Sequence, residues 1–142
     1  MSGAGENNRE RLRRLYDRWS EGDFSAELEI FDPQIEAVWA SGMVDSTVDR
    51  GLEELGSTMR RFMEGFRDIH MRAERIVPNG DRCFVSVDWH GTGRATELPF
   101  HRRVFHVWTF SGDRAVRVEG FWDELEALRA AGMEPEREGP TD

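Results

Sequence analysis

The chain has 142 residues and a formal charge of −9, and all 19 of its basic residues are arginine. With no lysine, a Schiff base, a lysine-anchored pyridoxal cofactor and the phosphate lysine of a Walker loop are all excluded. An acidic surface repels phosphate backbones and anionic lipids, so neither a nucleic acid nor a membrane is expected as a partner.

The single cysteine, Cys83, cannot form an intrachain disulfide, a redox pair or a thiolate zinc pair. The longest apolar run, Ala37 to Ala40, is too short for a membrane span or a signal segment. A cytoplasmic enzyme or binding domain without a metal or cofactor is expected. One domain is the expectation at this length, and nine Phe with five Trp supply enough apolar area for a core, or for a core plus an aromatic cavity.

In chain order, residues 1–8 are small and polar and read as a disordered lead-in. Leu12, Leu15, Tyr16 and Trp19 fall at helical spacing, and Gly22-Asp23 stops that helix. Ser25 is a candidate N-cap for a second, short helix with Leu28 and Phe31 on one face, ended by Asp32-Pro33. Ile35 to Trp39 reads as a strand and Ala40 to Arg50 as a loop. Leu52, Leu55, Met59, Phe62, Met63 and Phe66 form the strongest helical stripe.

From Asp68 the period changes to two. Ile69 to Val77 and Cys83 to His90 are predicted strands joined by an Asn79-Gly80 turn. Gly91 to Pro99 is a looser connection, Phe100 to Phe110 a long strand, and Ala115 to Trp122 the last strand, after a turn at Ser111-Gly112-Asp113. Asp123 and Glu126 form a capping box for a closing helix, with Leu125 and Leu128 inward and Gly132 as its stop. The folded domain is set at 9–132, and 133–142 reads as a disordered tail. Helices first and antiparallel strands after make the fold class α+β.

Three stretches, "LRRLYDRWSEGDFSAELEIFDPQIEAVW", "NGDRCFVSVDWHGTG" and "VFHVWTFSGDRAVRVEGFWDELEALRAAG", resemble the SnoaL-like branch of the nuclear transport factor 2-like superfamily. The resemblance spans Arg9 to Gly132. It implies a curved antiparallel or mixed sheet forming a cone, with N-terminal helices over its concave face and a homodimer through the outer face. The superfamily includes ketosteroid isomerases, polyketide cyclases, epoxide hydrolases and non-catalytic proteins, so the site must decide the function.

Alternation along the long strand puts Arg102, Val104, His106, Trp108 and Phe110 on one face and Arg103, Phe105, Val107 and Thr109 on the other. The resemblance aligns His106 with the pocket-facing protonated aspartic acid of ketosteroid isomerases. A histidine there suits proton transfer near neutral pH; a core histidine bonded to backbone or to Tyr16 is the other outcome. Tyr16 either reaches the pocket as a donor or packs its ring and bonds at the rim.

The isomerase's base position reads Val38-Trp39-Ala40-Ser41, without a carboxylate, and its tyrosine position holds Leu15. The cyclase acid falls near Gly120, with Glu119 on the opposite face unless a bulge turns it inward. An epoxide hydrolase would need acids beside Arg102, and no strand acid shares its face.

Trp39, Trp89, Trp108 and Trp122 are assigned to the interior, where they either line a pocket for a flat hydrophobic ligand or fill it. Candidate catalytic residues are thus His106 and Tyr16, and candidate ligand contacts are Trp39, Trp89, Arg102, Trp108 and Trp122. Cys83 reads as a buried thiol, and His90 with Asp88 as part of an outer face that pairs with a second copy, alongside Phe105, Val107 and Phe121.

Three functions compete at this stage. The first is proton-transfer chemistry of the isomerase or cyclase kind on a small hydrophobic cyclic carbonyl compound. The second is binding of such a compound without catalysis, and the third is a dimeric interaction module with a plugged cone.

Overall fold

The switch from a 3.6-residue to a two-residue apolar period is where the chain turns from helices to sheet. The computed structural model describes residues 3–25, 28–45 and 47–134. Helix α1 runs over Gly3–Ser20, a single 3-10 turn covers Leu28–Ile30, and strands β1 (Phe31–Trp39) and β2 (Val48–Arg50) follow. Helix α2 is Leu52–Glu64. Then come β3 (Phe66–Asn79), β4 (Arg82–Gly93), β5 (Pro99–Ser111), β6 (Arg114–Phe121) and helix α3 (Glu124–Ala130).

The six strands form one curved, unclosed mixed sheet in the order β2-β1-β6-β5-β4-β3. Only the β1–β6 pairing is parallel. Together the three helices and this sheet make an α+β cone fold.

The sheet has two apolar faces, and the helices divide between them. Leu12, Leu15 and Tyr16 of α1 and Leu55 of α2 join Cys83, Val85, Val87, Trp89, Val104 and Trp108 in the main core. On the other face Ala127 and Leu128 of α3 pack on Phe84, Phe105 and Val107. The outward apolar residues on which the expected dimer rested are therefore covered by the chain's own C-terminal helix, Phe121 among them.

Several boundaries differ from expectation, each for a local reason. The helix begins at Gly3, so residues 3–8 are not a lead-in. Asn8 is buried and donates from Nδ2 to the Gly112 carbonyl (3.1 Å), and Arg9 Nε donates to the Ile76 carbonyl (3.1 Å). Those contacts anchor the first turns of α1 to the sheet. The expected tail lies outside the described residues from 135 onward, as do residues 1–2.

Ser25 does not serve as an N-cap acceptor: its backbone N–H and its Oγ both donate to Asp23 Oδ1. The expected second helix shrinks to the Leu28–Ile30 turn, and Phe31 opens β1 instead. Pro33 is tolerated inside that strand because the β1–β6 ladder is interrupted between Phe31 and Glu36, so its missing N–H costs no ladder bond.

The expected loop Ala40 to Arg50 contains β2, three residues paired with Glu36 to Val38 and too short to show a period. Phe66 belongs to β3, not to the helix stripe, which Gly65 ends. Gly91 to Gly93 continue β4 rather than loosening after it. At the end of the chain Asp123 accepts from the Glu126 N–H (2.9 Å) as expected, whereas Leu125 is 38% exposed rather than inward.

Candidate functional site

α1 and α2 do not fill the inner face. Between them and the sheet lies a cavity of about 710 Å³, within the range of sites that enclose a drug-sized molecule. Its wall is apolar: Phe31, Trp39, Val104, Trp108, Val118 and Trp89 from the strands, Trp19 from α1, and Leu55, Met59, Phe62 and Met63 from α2. Asp23, Ser25 and Arg60 are the polar side chains at its rim, and His106 is the buried polar side chain in its wall.

His106 sits in mid-β5, in register with Val85 of β4 and Gly120 of β6. Its Nδ1 lies 2.6 Å from Tyr16 Oη, and Trp108 Nε1 lies 2.9 Å from the same oxygen. An indole N–H only donates, so the phenol accepts from Trp108; its own buried proton has one acceptor within reach among the described residues, His106 Nδ1, and is given there. Burial raises the Tyr16 phenol well above 10.0, which keeps that proton in place. Burial also lowers His106 from 6.5 to about 4, so the imidazole is neutral near pH 7.

With Nδ1 accepting, the neutral ring carries its proton on Nε2. That atom has no partner among the described residues, so Nε2–H is the polar group His106 offers to the cavity. The arrangement is a directed chain from Trp108 through Tyr16 to His106, ending in a neutral donor. It suits holding and polarising a ligand oxygen; it does not suit taking up a proton.

Of the candidates, the structure brings His106, Trp39, Trp89 and Trp108 together around the cavity. Tyr16 is buried behind His106 and outside the lining. Arg102 and Trp122 also lie outside the lining and pair with each other, the guanidinium 4.1 Å over the indole. Trp122 Nε1 donates to the Ser41 carbonyl, and its ring stacks on Trp89 at 6.0 Å. At the cyclase acid position, Gly120 offers no side chain, and a Cβ there would stand 2.7 Å from Met43 Sδ. The register is regular at Glu119, whose carboxylate meets Arg117 at 3.5 Å instead of entering the cavity. Cys83 is buried, and burial pushes its thiol up to about 12.

Sequence reasoning missed Trp19, Asp49 and the methionines. Trp19 follows Tyr16 by three residues, so its place on the cavity side of α1 was legible from helical spacing. Four methionines, Met43, Met59, Met63 and Met71, line the cavity and give it a deformable wall. Asp49 of β2 is a buried carboxylate that accepts from Trp39 Nε1 (3.0 Å) and Thr58 Oγ1 (2.9 Å), tying a wall indole to α2. It lay in a segment read as loop. Among the described residues no group of three or more His, Cys, Asp or Glu is placed to hold a metal ion, and no helix is long and apolar enough to cross a membrane.

A helix-covered cone with a pocket at its centre defines the nuclear transport factor 2-like, or ketosteroid isomerase-like, class of folds. Residues 12–118 match the SnoaL-like domain model, and the chain belongs to that family. No curated protein matches the sequence.

Among solved structures, the chain is similar to a SnoaL-like polyketide cyclase candidate from a Jannaschia species (17% identity, TM-score 0.75, covering 95% of this chain and 98% of that one). A nuclear transport factor 2-like protein from Burkholderia thailandensis matches at 24% identity and TM-score 0.72, over 89% and 97% of the two chains. A protein of ketosteroid isomerase-like fold from Catenulispora acidiphila, crystallised with trimethylamine, matches at 14% and 0.68, over 87% and 93%. At these identities the likeness is one of fold.

Proposed function

We propose that the cavity binds a small, flat, hydrophobic carbonyl compound, whose oxygen accepts a hydrogen bond from His106 Nε2–H. The observation that carries this is the Trp108–Tyr16–His106 chain, which ends in a donor without a partner among the described residues on a largely apolar wall. A carbonyl oxygen would accept from that donor while the rings of the ligand cover the indoles. The same bond would acidify the carbon next to the carbonyl, as isomerase and cyclase chemistry requires. Among the described lining residues the one carboxylate is Asp23, at the rim, and none stands in the wall to take that proton. Binding with polarisation is therefore the reading the geometry supports best.

The test is a matched pair, 9-fluorenone and fluorene, which differ in one carbonyl. Fluorenone is expected to raise the melting temperature of the parent more than fluorene does, and His106→Leu to erase the difference. Equal shifts in the parent, or a difference that survives in His106→Leu, contradict the proposal.

The homodimer implied by the resemblance would use the outer face that α3 leaves free. There Asp88 meets His90, His101 and Arg72 in a charged strip. A monomer in sedimentation equilibrium contradicts it.

A further inference from the structure

The cavity has charge at its mouth as well as a donor in its wall. Arg60 lies one turn after Gly56 on α2, and both line the cavity. The guanidinium folds back along the helix into the space that the missing side chain leaves: a Cβ on Gly56 would stand 3.5 Å from Arg60 Nη1. Arg60 Nη2 donates to Ser57 Oγ (3.2 Å), and that is the one polar contact the side chain makes among the described residues.

Its neighbour in sequence behaves otherwise. Arg61 is paired with Asp45, Nε to Oδ2 at 2.8 Å, and does not line the cavity. A guanidinium has five N–H donors in a planar fork, so most of those on Arg60 remain for a ligand.

Among the described residues the other charged group at the rim does not compete for that fork. Asp23 Oδ1 accepts from the Ser25 N–H (3.0 Å) and Oγ (2.7 Å), and these bonds hold its carboxyl below the ordinary range. In a chain of net charge −9 an anion finds a repulsive surface, so a cation turned to an apolar mouth is selective.

We propose that the ligand carries a carboxylate that docks on Arg60, making it an amphipathic cyclic keto acid rather than a neutral ketone. The ketone oxygen goes to His106 in the wall, the ring system covers the indoles between, and the acid stays at the mouth. This rests on the carbonyl-binding reading above and adds to it the chemical class of the ligand.

The experiment titrates the tryptophan fluorescence of the parent and of Arg60→Gln with 9-fluorenone-2-carboxylate and with its methyl ester. The acid is expected to bind the parent about tenfold more tightly than the ester, as a charge-assisted bidentate contact allows, and added salt narrows the gap. Arg60→Gln brings the two compounds to equal affinity. An ester that binds the parent as well as the acid, or a preference that persists in Arg60→Gln, overturns the inference. Binding of neither compound contradicts the carbonyl reading itself, and the inference falls with it.

Discussion

Tyr16 Oη and His106 Nδ1 stand 2.6 Å apart, and because Nδ1 is the one acceptor the buried phenol proton reaches among the described residues, the proton between them belongs to Tyr16. Tyr16 is the only tyrosine in the chain, so phenolate absorbance reports on it alone. In the folded protein no phenolate is expected as pH passes 10.0, and its appearance should coincide with loss of tertiary structure. A phenol that titrates in the native state near its ordinary value would break the chain's assigned direction.

His106 predicts a window of acid sensitivity. Its folded value of about 4 lies below 6.5, so the unfolded chain takes up the proton first. The contribution of the neutral ring is complete above pH 6.5, declines as pH falls toward 4, and is flat below that. Comparing parent with His106→Leu in urea isolates it from the carboxylates that titrate nearby. The parent should lose about 3 kcal/mol relative to the variant across the window. Parallel stability curves would show that His106 is not buried neutral.

Asp49 holds Trp39 against α2 through two hydrogen bonds. Asp49→Ala strands both donors and should cost about 2–4 kcal/mol in urea unfolding, with altered tryptophan emission. Asp49→Asn keeps one acceptor oxygen and should cost less. Equal losses would mean that volume, not hydrogen bonding, is what the side chain supplies.

Gly91 is required by a backbone approach. A Cβ there would stand 2.3 Å from the Asp68 carbonyl oxygen and 3.0 Å from Ile69 Cα, both main chain of β3. Gly91→Ala should destabilise by more than about 2 kcal/mol, since the two strands must part. At Gly93 the contact is 2.7 Å to Thr96 Oγ1, a side chain able to turn away, so Gly93→Ala should cost less. The reverse order would contradict the strand packing.

These two glycines also show what the sequence conceals. Gly91-Thr92-Gly93 resembles a flexible connection locally, yet the β3–β4 ladder extends to Gly93, and at Gly91 it brings β3 close enough to exclude a side chain. Wherever one period ran for six residues or more, as in α2 and β5, the element was legible. Where tertiary pairing supplied the order, as in β2, or where long-range bonds fixed a terminus, as at Asn8, it was not.

The site follows the same rule. The sequence pattern assigned His106 and four indoles to the interior; His106, Trp39, Trp89 and Trp108 line the cavity and Trp122 does not. A bond to Tyr16, ninety residues away in sequence, was one of the outcomes offered for His106, and the structure shows it; which imidazole nitrogen it leaves facing the ligand was not legible. Asp49 and Arg60 were hidden for different reasons. One lies in a strand too short for a pattern, and the other is an arginine among many whose pairing only the fold reveals.

The tautomer of His106 decides which atom meets the ligand, and long-range proton–nitrogen correlation of its imidazole reads it directly, free and with 9-fluorenone. The structure predicts a neutral ring protonated on Nε2 near pH 7, with Nδ1 as acceptor and with the Nε2 signal shifting when the ketone binds. A ring protonated on Nδ1, or an Nε2 signal indifferent to a ketone that binds, would contradict it.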